Sequence, residues 1–188
     1  KGKEEVVKAV QKCWAFMFTP NSLNLKIKNK IPLEFCEVSV IVQKMVEAEK
    51  SGIVYTSSND NELVIEACLG QGEVLDNGTV IPDRYIISKN PLEIKDKIIN
   101  LQDFMFIRDE NIGKNIKKNI FNNERKLNED EIKRISSFAL EIEILYGEPQ
   151  EIEFCLNKDK IFILQSKPLI ISTTLDKEYT KKFKESNE

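Results

Sequence analysis

Histidine is absent from all 188 residues. That excludes Ser-His-Asp and Cys-His mechanisms, His-ligated zinc and phosphohistidine chemistry on this chain. Cysteine is sparse: Cys13, Cys36, Cys68 and Cys155 are widely separated, sit in apolar contexts and form no CxxC pair. They read as buried, reduced thiols of a cytoplasmic protein. No apolar run approaches a membrane span, and no signal-peptide pattern is read at the start. Charge of neither sign is in excess; a net charge of −3 gives no electrostatic case for nucleic acid or a membrane as partner. No GxxxxGK[ST] occurs, so there is no P-loop. The chain opens on Lys1 rather than methionine and reads as a processed or excised piece, long enough to bury a core in one domain or slightly more.

What is present centres on Gly147–Pro168, GEPQEIEFCLNKDKIFILQSKP. Two alternating segments, Glu151–Leu156 and Ile161–Gln165, flank the polar turn Asn157-Lys158-Asp159-Lys160, a β-hairpin pattern. Alternation puts Glu151 and Glu153 on one face of the first strand. On the second it groups Ile161, Ile163 and Gln165 against Phe162, Leu164 and Ser166. Glu153 faces Gln165 if the loop is odd in length and centred on Asp159. That juxtaposes a carboxylate and an amide carbonyl, two hard oxygen donors of the kind magnesium prefers. The same residues also fit an ordinary hairpin with a solvated polar face.

Upstream, Glu4–Phe18 has a helical apolar spacing at Val6, Val7, Val10, Trp14 and Phe18, with Trp14 and Phe18 expected in the core. Pro20 suits the first turn of a second helix ending near Lys28. Lys26, Lys28 and Lys30 fit either a solvated surface or a phosphate contact. Glu37–Val46 (EVSVIVQKMV) reads as a strand buried on both sides. Ser51-Gly52 reads as a turn into the strand Ile53–Ser57, and Glu62–Leu69 as the next strand of an antiparallel meander. The two-glycine loop Gly70-Gln71-Gly72-Glu73 could bring backbone amides to a phosphate. Thr79–Ile87, interrupted by Pro82, suggests a sheet edge. Residues 88–126 show only short apolar segments around Ile98–Leu101 and Phe104–Ile107. Asn128–Tyr146 is a capped helix: Asn128 as N-cap, Glu131 as capping-box partner, Gly147 as its C-terminal stop. Its apolar stripe is Ile132, Ile135, Phe138, Ala139, Ile142 and Leu145. A charged tail closes the chain, as loose helix or disorder.

Six segments in order then carry a resemblance: VQKCWAFMFTP, VSVIVQKMV, SGIVYTS, ACLGQGEVLDNGTVIPDRY, LNEDEIKRISSFALEIEILYGEPQEIEF and IFILQSKP. Together they resemble the C-terminal part of the ATP-grasp nucleotide-binding domain of the phosphoenolpyruvate synthase and pyruvate, phosphate dikinase family, over roughly Glu5 to Leu169. The resemblance implies an α+β fold, the C-terminal subdomain of an ATP-grasp domain, with a mostly antiparallel sheet and flanking helices. Residues 1–170 would form that partial domain and 171–188 a tail or linker. It implies ATP and Mg2+ as cofactors. Gln43, Lys44 and Met45 would form the hinge against the adenine, and Thr56 and Glu73 would line the nucleotide site near the phosphates or ribose. Glu153 would be a metal ligand and Gln165 a second contact to metal or phosphates. Lys167 would be the catalytic cation, in place of the family's arginine in "QSRP".

The swap at Lys167 keeps the charge and loses arginine's planar fork. The family's "GLGE" is Gly70-Gln71-Gly72-Glu73 here, followed by Leu75-Asp76 in place of two valines. The proline after the family's "SGVmFT" segment is missing after Ser58-Asn59. Nothing matches the family's N-terminal half or its His-bearing swivelling domain, so both are implied partners. The intact parent would pass a phosphoryl group from Mg·ATP to that histidine, and the isolated piece would catalyse nothing. Alternatives are the ATP module of a rifampin-type antibiotic phosphotransferase, or a degenerate half-domain acting as nucleotide sensor or scaffold.

Overall fold

The computed structural model describes residues 2–32, 37–59, 61–109 and 111–169. The chain divides into two compact units, Lys1–Met45 and Val46–Glu188. The expected tail, 171–188, and Cys36 lie outside the described residues.

The first unit holds α1 (Lys3–Phe16) and α2 (Pro20–Lys28). Pro20 occupies the first turn of α2, and Thr19 caps it by accepting from the Ser22 N–H at 3.4 Å. Neither helix has a buried residue. Trp14 and Phe18, expected in a core, are exposed, and the Trp14 indole N–H donates to the Val38 carbonyl at 3.2 Å. Cys13 is exposed too, unlike Cys68 and Cys155. Residues 37–46 form neither helix nor strand, and Ile41 is 86% exposed, so the doubly buried strand expected there is not formed. The reason is local: no other described residue of this unit is in a strand, and β-branched composition makes a strand only where a ladder accepts it. Two helices and a short extended segment also provide too little apolar surface to cover each other.

The second unit is built on β1 (Lys50–Asn59), β2 (Glu62–Leu69), β3 (Asp83–Lys89), β4 (Leu92–Ile98), β7 (Gln150–Asn157) and β8 (Lys160–Pro168). They form one sheet in the order β4-β3-β2-β1-β7-β8, with every neighbouring pair antiparallel. β5 (Gln102–Asp109) and β6 (Lys114–Asn122) form a separate two-stranded ribbon. A short helix, α3 (Glu73–Asp76), follows β2, and α4 (Glu129–Tyr146) precedes β7. An α+β architecture with a mostly antiparallel sheet is therefore observed.

Two expectations change. Ser51-Gly52 lies inside β1 rather than in a turn, and β3 is an inner strand, with Pro82 just before it and β4 at the edge. Proline forfeits a ladder hydrogen bond only within a strand, so its place one residue earlier costs the sheet nothing.

One face of the sheet contributes Val54, Leu63, Ile65, Tyr85, Ile87, Ile152, Phe154 and Leu156 to the main core, and α4 covers it with Ile132, Ile135 and Ala139. The expected stripe on α4 is too wide: Phe138 is 42% and Leu145 79% exposed. On the other face, α3 and β5 close a smaller cluster of Cys68, Val74 and Val80 with Phe104 and Phe106.

α4 begins where the sequence indicates. Asn128 Oδ1 accepts from the Glu131 N–H at 2.8 Å, and Glu131 Oε2 accepts from the Asn128 N–H at 2.7 Å. Lys50, at the start of β1, adds a salt bridge to Glu131 at 2.6 Å, so the cap also ties helix to sheet. Asn128→Ala is expected to cost about 1 kcal/mol, read as a lower urea midpoint with unchanged slope.

A buried polar knot fixes the segment before α4. Asp83 Oδ1 accepts from the Asn100 N–H at 2.9 Å and from Lys126 Nζ at 2.7 Å. Its Oδ2 accepts from the Tyr85 hydroxyl at 2.9 Å and the Lys126 N–H at 2.8 Å. Lys126 Nζ also donates to the Asn100 carbonyl, and the Tyr85 oxygen accepts from the Leu127 N–H at 3.0 Å. Both charged side chains are 0% exposed. Burial pushes the Tyr85 phenol well above its ordinary value, so it stays a donor.

Candidate functional site

The β7–β8 hairpin turns on two residues, Lys158 and Asp159, with φ of 47° and 63°. Both lie in the left-handed region required by the primed turns that suit β-twist. Glu153 does face Gln165, but by a route different from the odd loop expected. Asn157 pairs with Lys160 and Phe154 with Ile163, then the register shifts so that Glu153 pairs with Gln165 and Glu151 with Lys167. Leu164 is the extra residue, a bulge.

The bulge also corrects the faces. Directly opposed residues share a face, so Ile163 goes with Phe154, while Gln165 and Lys167 join Glu153 and Glu151 on the other side. Ile163 and Gln165 are thus on opposite faces, not together.

That second face carries a polar row across the strands. Glu153 is opposite Ile53 on β1, Ile53 opposite Glu66 on β2, and Glu66 opposite Arg84 on β3. Burial raises the Glu66 carboxyl above its ordinary range, and the Arg84 charge pulls it back down. One rung along, Lys167 Nζ lies 2.9 Å from Glu151 Oε1. A small cleft of about 40 Å³ opens here, lined by Ser51, Ile53, Gly72, Glu153 and Leu164. It has room for a water, not for a nucleotide.

The other expected site residues are dispersed. Thr56 lies on the α4 side, fully buried, its hydroxyl accepting from the Gln150 N–H at 2.8 Å. Glu73 is exposed at the start of α3 and accepts from Asn115 Nδ2 at 3.0 Å. Gln43, Lys44 and Met45 are exposed residues of the first unit. In the glycine loop the first two amides are already used: Gly70 N–H donates to the Glu49 carbonyl and Gln71 N–H to the Phe106 carbonyl, each at 2.8 Å. Those two are not open to a phosphate. Of the thiols, burial pushes Cys155 up to about 11 and keeps it unreactive.

The structure thus brings together Glu153, Gln165 and Lys167 and adds Glu151 and Glu66, which sequence reasoning did not assign. Glu151 was visible through its alternation with Glu153, and Glu66 through its place two residues after Val64. Among the described residues, no group of three or more His, Cys, Asp or Glu side chains could hold a metal alone. One carboxylate beside one amide carbonyl still fits Mg2+, which keeps several waters and uses one or two protein ligands together with phosphates. No helix among the described residues is long and apolar enough to cross a membrane.

Comparison with known proteins places the chain in a family. The family model described as "Pyruvate phosphate dikinase, AMP/ATP-binding domain" matches residues 1–188. The chain is 39% identical to the probable phosphoenolpyruvate synthase of Methanocaldococcus jannaschii, over 94% of this chain and 15% of that protein. It is 37% identical to the probable phosphoenolpyruvate synthase of Archaeoglobus fulgidus, over 94% of this chain and 24% of that protein. It is 35% identical to the rifampicin phosphotransferase of Bacillus cereus, over 89% of this chain and 20% of that protein. The chain spans about a quarter or less of the length of these relatives. With its whole length matched, the chain belongs to the pyruvate phosphate dikinase AMP/ATP-binding domain family.

Proposed function

We propose that this chain supplies the metal- and phosphate-facing half of a Mg·ATP site in a longer phosphotransferase of the phosphoenolpyruvate synthase type. The observation that carries the reading is the cross-strand pair Glu153–Gln165, with Lys167 on the same face one rung away. As in the ATP-grasp arrangement that the sequence resembles, a second half closes over this face and completes the nucleotide site. That need is consistent with a cleft of only about 40 Å³ here. Thr56 and Glu73 belong to the shell around the nucleotide; Thr56 does so indirectly, by holding the start of β7. Mg2+, when bound, neutralises and orients the phosphate oxygens. Glu153 and Gln165 would hold it, and Lys167, on the same face, would offset charge on the phosphates, since phosphoryl transfer rests on positioning and electrostatics.

By the same resemblance the acceptor is a histidine, which has to lie elsewhere in the longer protein, since this chain carries none. Alone, in the cytoplasm or in vitro, the chain binds nucleotide weakly and transfers nothing. A stable phosphoenzyme on the isolated chain would refute that.

Calorimetric titration of Mg·ATP tests the site. Glu153→Gln keeps the shape and removes the charge, and it is expected to weaken binding by about tenfold or more. Equal binding by both proteins would remove Glu153 from the site. Absence of heat from both would show that this half does not hold the nucleotide alone. The 35% identity to a rifampicin phosphotransferase supports a second reading, in which the same module serves an antibiotic acceptor. A degenerate sensor or scaffold is favoured instead if the complete longer protein binds Mg·ATP and phosphorylates nothing.

A further inference from the structure

Glu151 and Glu153 stand two residues apart on β7, so their carboxylates leave the same face roughly 7 Å apart. β8 gives them different neighbours. Glu153 has the neutral amide of Gln165 opposite it, and Glu151 has Lys167, with Nζ 2.9 Å from Oε1. Lys167 is about half exposed at 49%, whereas Glu151 is held closer to the sheet at 22%. The carboxylate is therefore the fixed member and the ammonium the one that comes to it.

We propose that Lys167 is a built-in counter-ion that keeps Glu151 out of the coordination of a divalent cation at Glu153 and Gln165. This inference rests on the reading of Glu153 and Gln165 as cation ligands. Cation affinity at oxygen sites is set by how many charged ligands converge and how freely they move. One carboxylate and one amide hold a cation poorly until a nucleotide adds its phosphate oxygens. Two carboxylates and an amide would capture the ion without nucleotide and accept the larger, more flexible coordination of calcium. By occupying Glu151, Lys167 makes the site wait for the metal–nucleotide complex.

The test uses the whole chain and Mn2+ alone, without nucleotide, followed by calorimetry or by loss of the free-ion paramagnetic resonance signal. Lys167→Met is expected to bind Mn2+ about tenfold more tightly than the unmodified chain. Adding Glu151→Gln to it is expected to abolish the gain. Unchanged affinity in Lys167→Met overturns the proposal. So does a gain that survives Glu151→Gln, which would assign the effect to loss of a positive charge anywhere on this face. Thermal melting checks that each variant is folded, and Lys167→Gln substitutes if Lys167→Met is not. The two readings fail separately. An unmodified chain that ignores Mg·ATP, with a Lys167→Met gain that depends on Glu151, refutes nucleotide binding by this half alone and leaves the counter-ion standing. Binding of Mg·ATP that depends on Glu153, with no cation gain in Lys167→Met, refutes the counter-ion alone.

Discussion

Replacing Gly52 with alanine is expected to destabilise the second unit by about 3 kcal/mol or more, seen as a lower urea midpoint. A methyl group there would lie 2.3 Å from the Glu66 carbonyl oxygen and 2.4 and 2.6 Å from two carbons of the Phe154 ring. The obstacle is contact, not backbone conformation, because Gly52 does not need a positive φ. β1 sits between β2 and β7 and cannot move away from both. Phe154 is 1% exposed, so its ring has no free space to swing into. Restricting the unfolded chain by a Gly→Ala change returns only about 0.4–1 kcal/mol. Gly72→Ala is the control: its nearest atom, Ser51 Cβ, is 3.4 Å away, an ordinary contact. Adding Phe154→Leu to Gly52→Ala should recover part of the loss but not the part due to the carbonyl. An unchanged midpoint for Gly52→Ala would refute the packing described for β1.

Lys126→Met is expected to cost about 3–5 kcal/mol, measured in the same way. It leaves the Asp83 carboxylate, 0% exposed, without the Lys126 ammonium that neutralises it inside the knot. Many buried ion pairs can be exchanged for apolar residues without loss. This one differs because Asp83 also accepts from two backbone N–H groups, those of Asn100 and Lys126. Asp83→Leu with Lys126→Met would leave both amides without that acceptor, at a cost of about 1–3 kcal/mol each. The double variant is therefore expected to stay well below the unmodified chain. Full recovery would show that the knot holds charge only and does not organise the approach to α4.

Local signals were legible in the sequence, and those that depend on distant partners were not. The capping box of α4 spans four residues and was read correctly from Asn128 and Glu131. The hairpin Glu151–Gln165 was legible because apolar alternation and a polar turn suffice to define it. Its bulge was not, since Ile163 and Leu164 are both aliphatic and nothing in the pattern marks where the faces change over. β5 and β6 were nearly invisible. β5 shows only as the short apolar segment Phe104–Ile107, while β6 carries Lys and Asn in place of an alternating apolar face, and one Lys, Lys117, lies over the Phe104 ring. Nothing near Lys126 in the sequence marks it as buried, because its partner, Asp83, lies 43 positions away. Residues 37–46 show the opposite error: strong strand composition without a ladder among the described residues of its unit. At the site, the Glu153–Gln165 pair was foreseen, whereas the pairing of Lys167 with Glu151 needed the register of β8.

The extra residue at Leu164 also gives the hairpin one residue of slack. Loss of any single position from Lys160 to Leu164 can be absorbed by closing the bulge, with Gln165 still opposite Glu153. Loss of two turns the far end of β8 over and carries Lys167 toward the face where α4 lies. Length differences among relatives in this strand therefore differ in meaning by their parity: a gap of one preserves the face on which the cation pair stands, and a gap of two removes it.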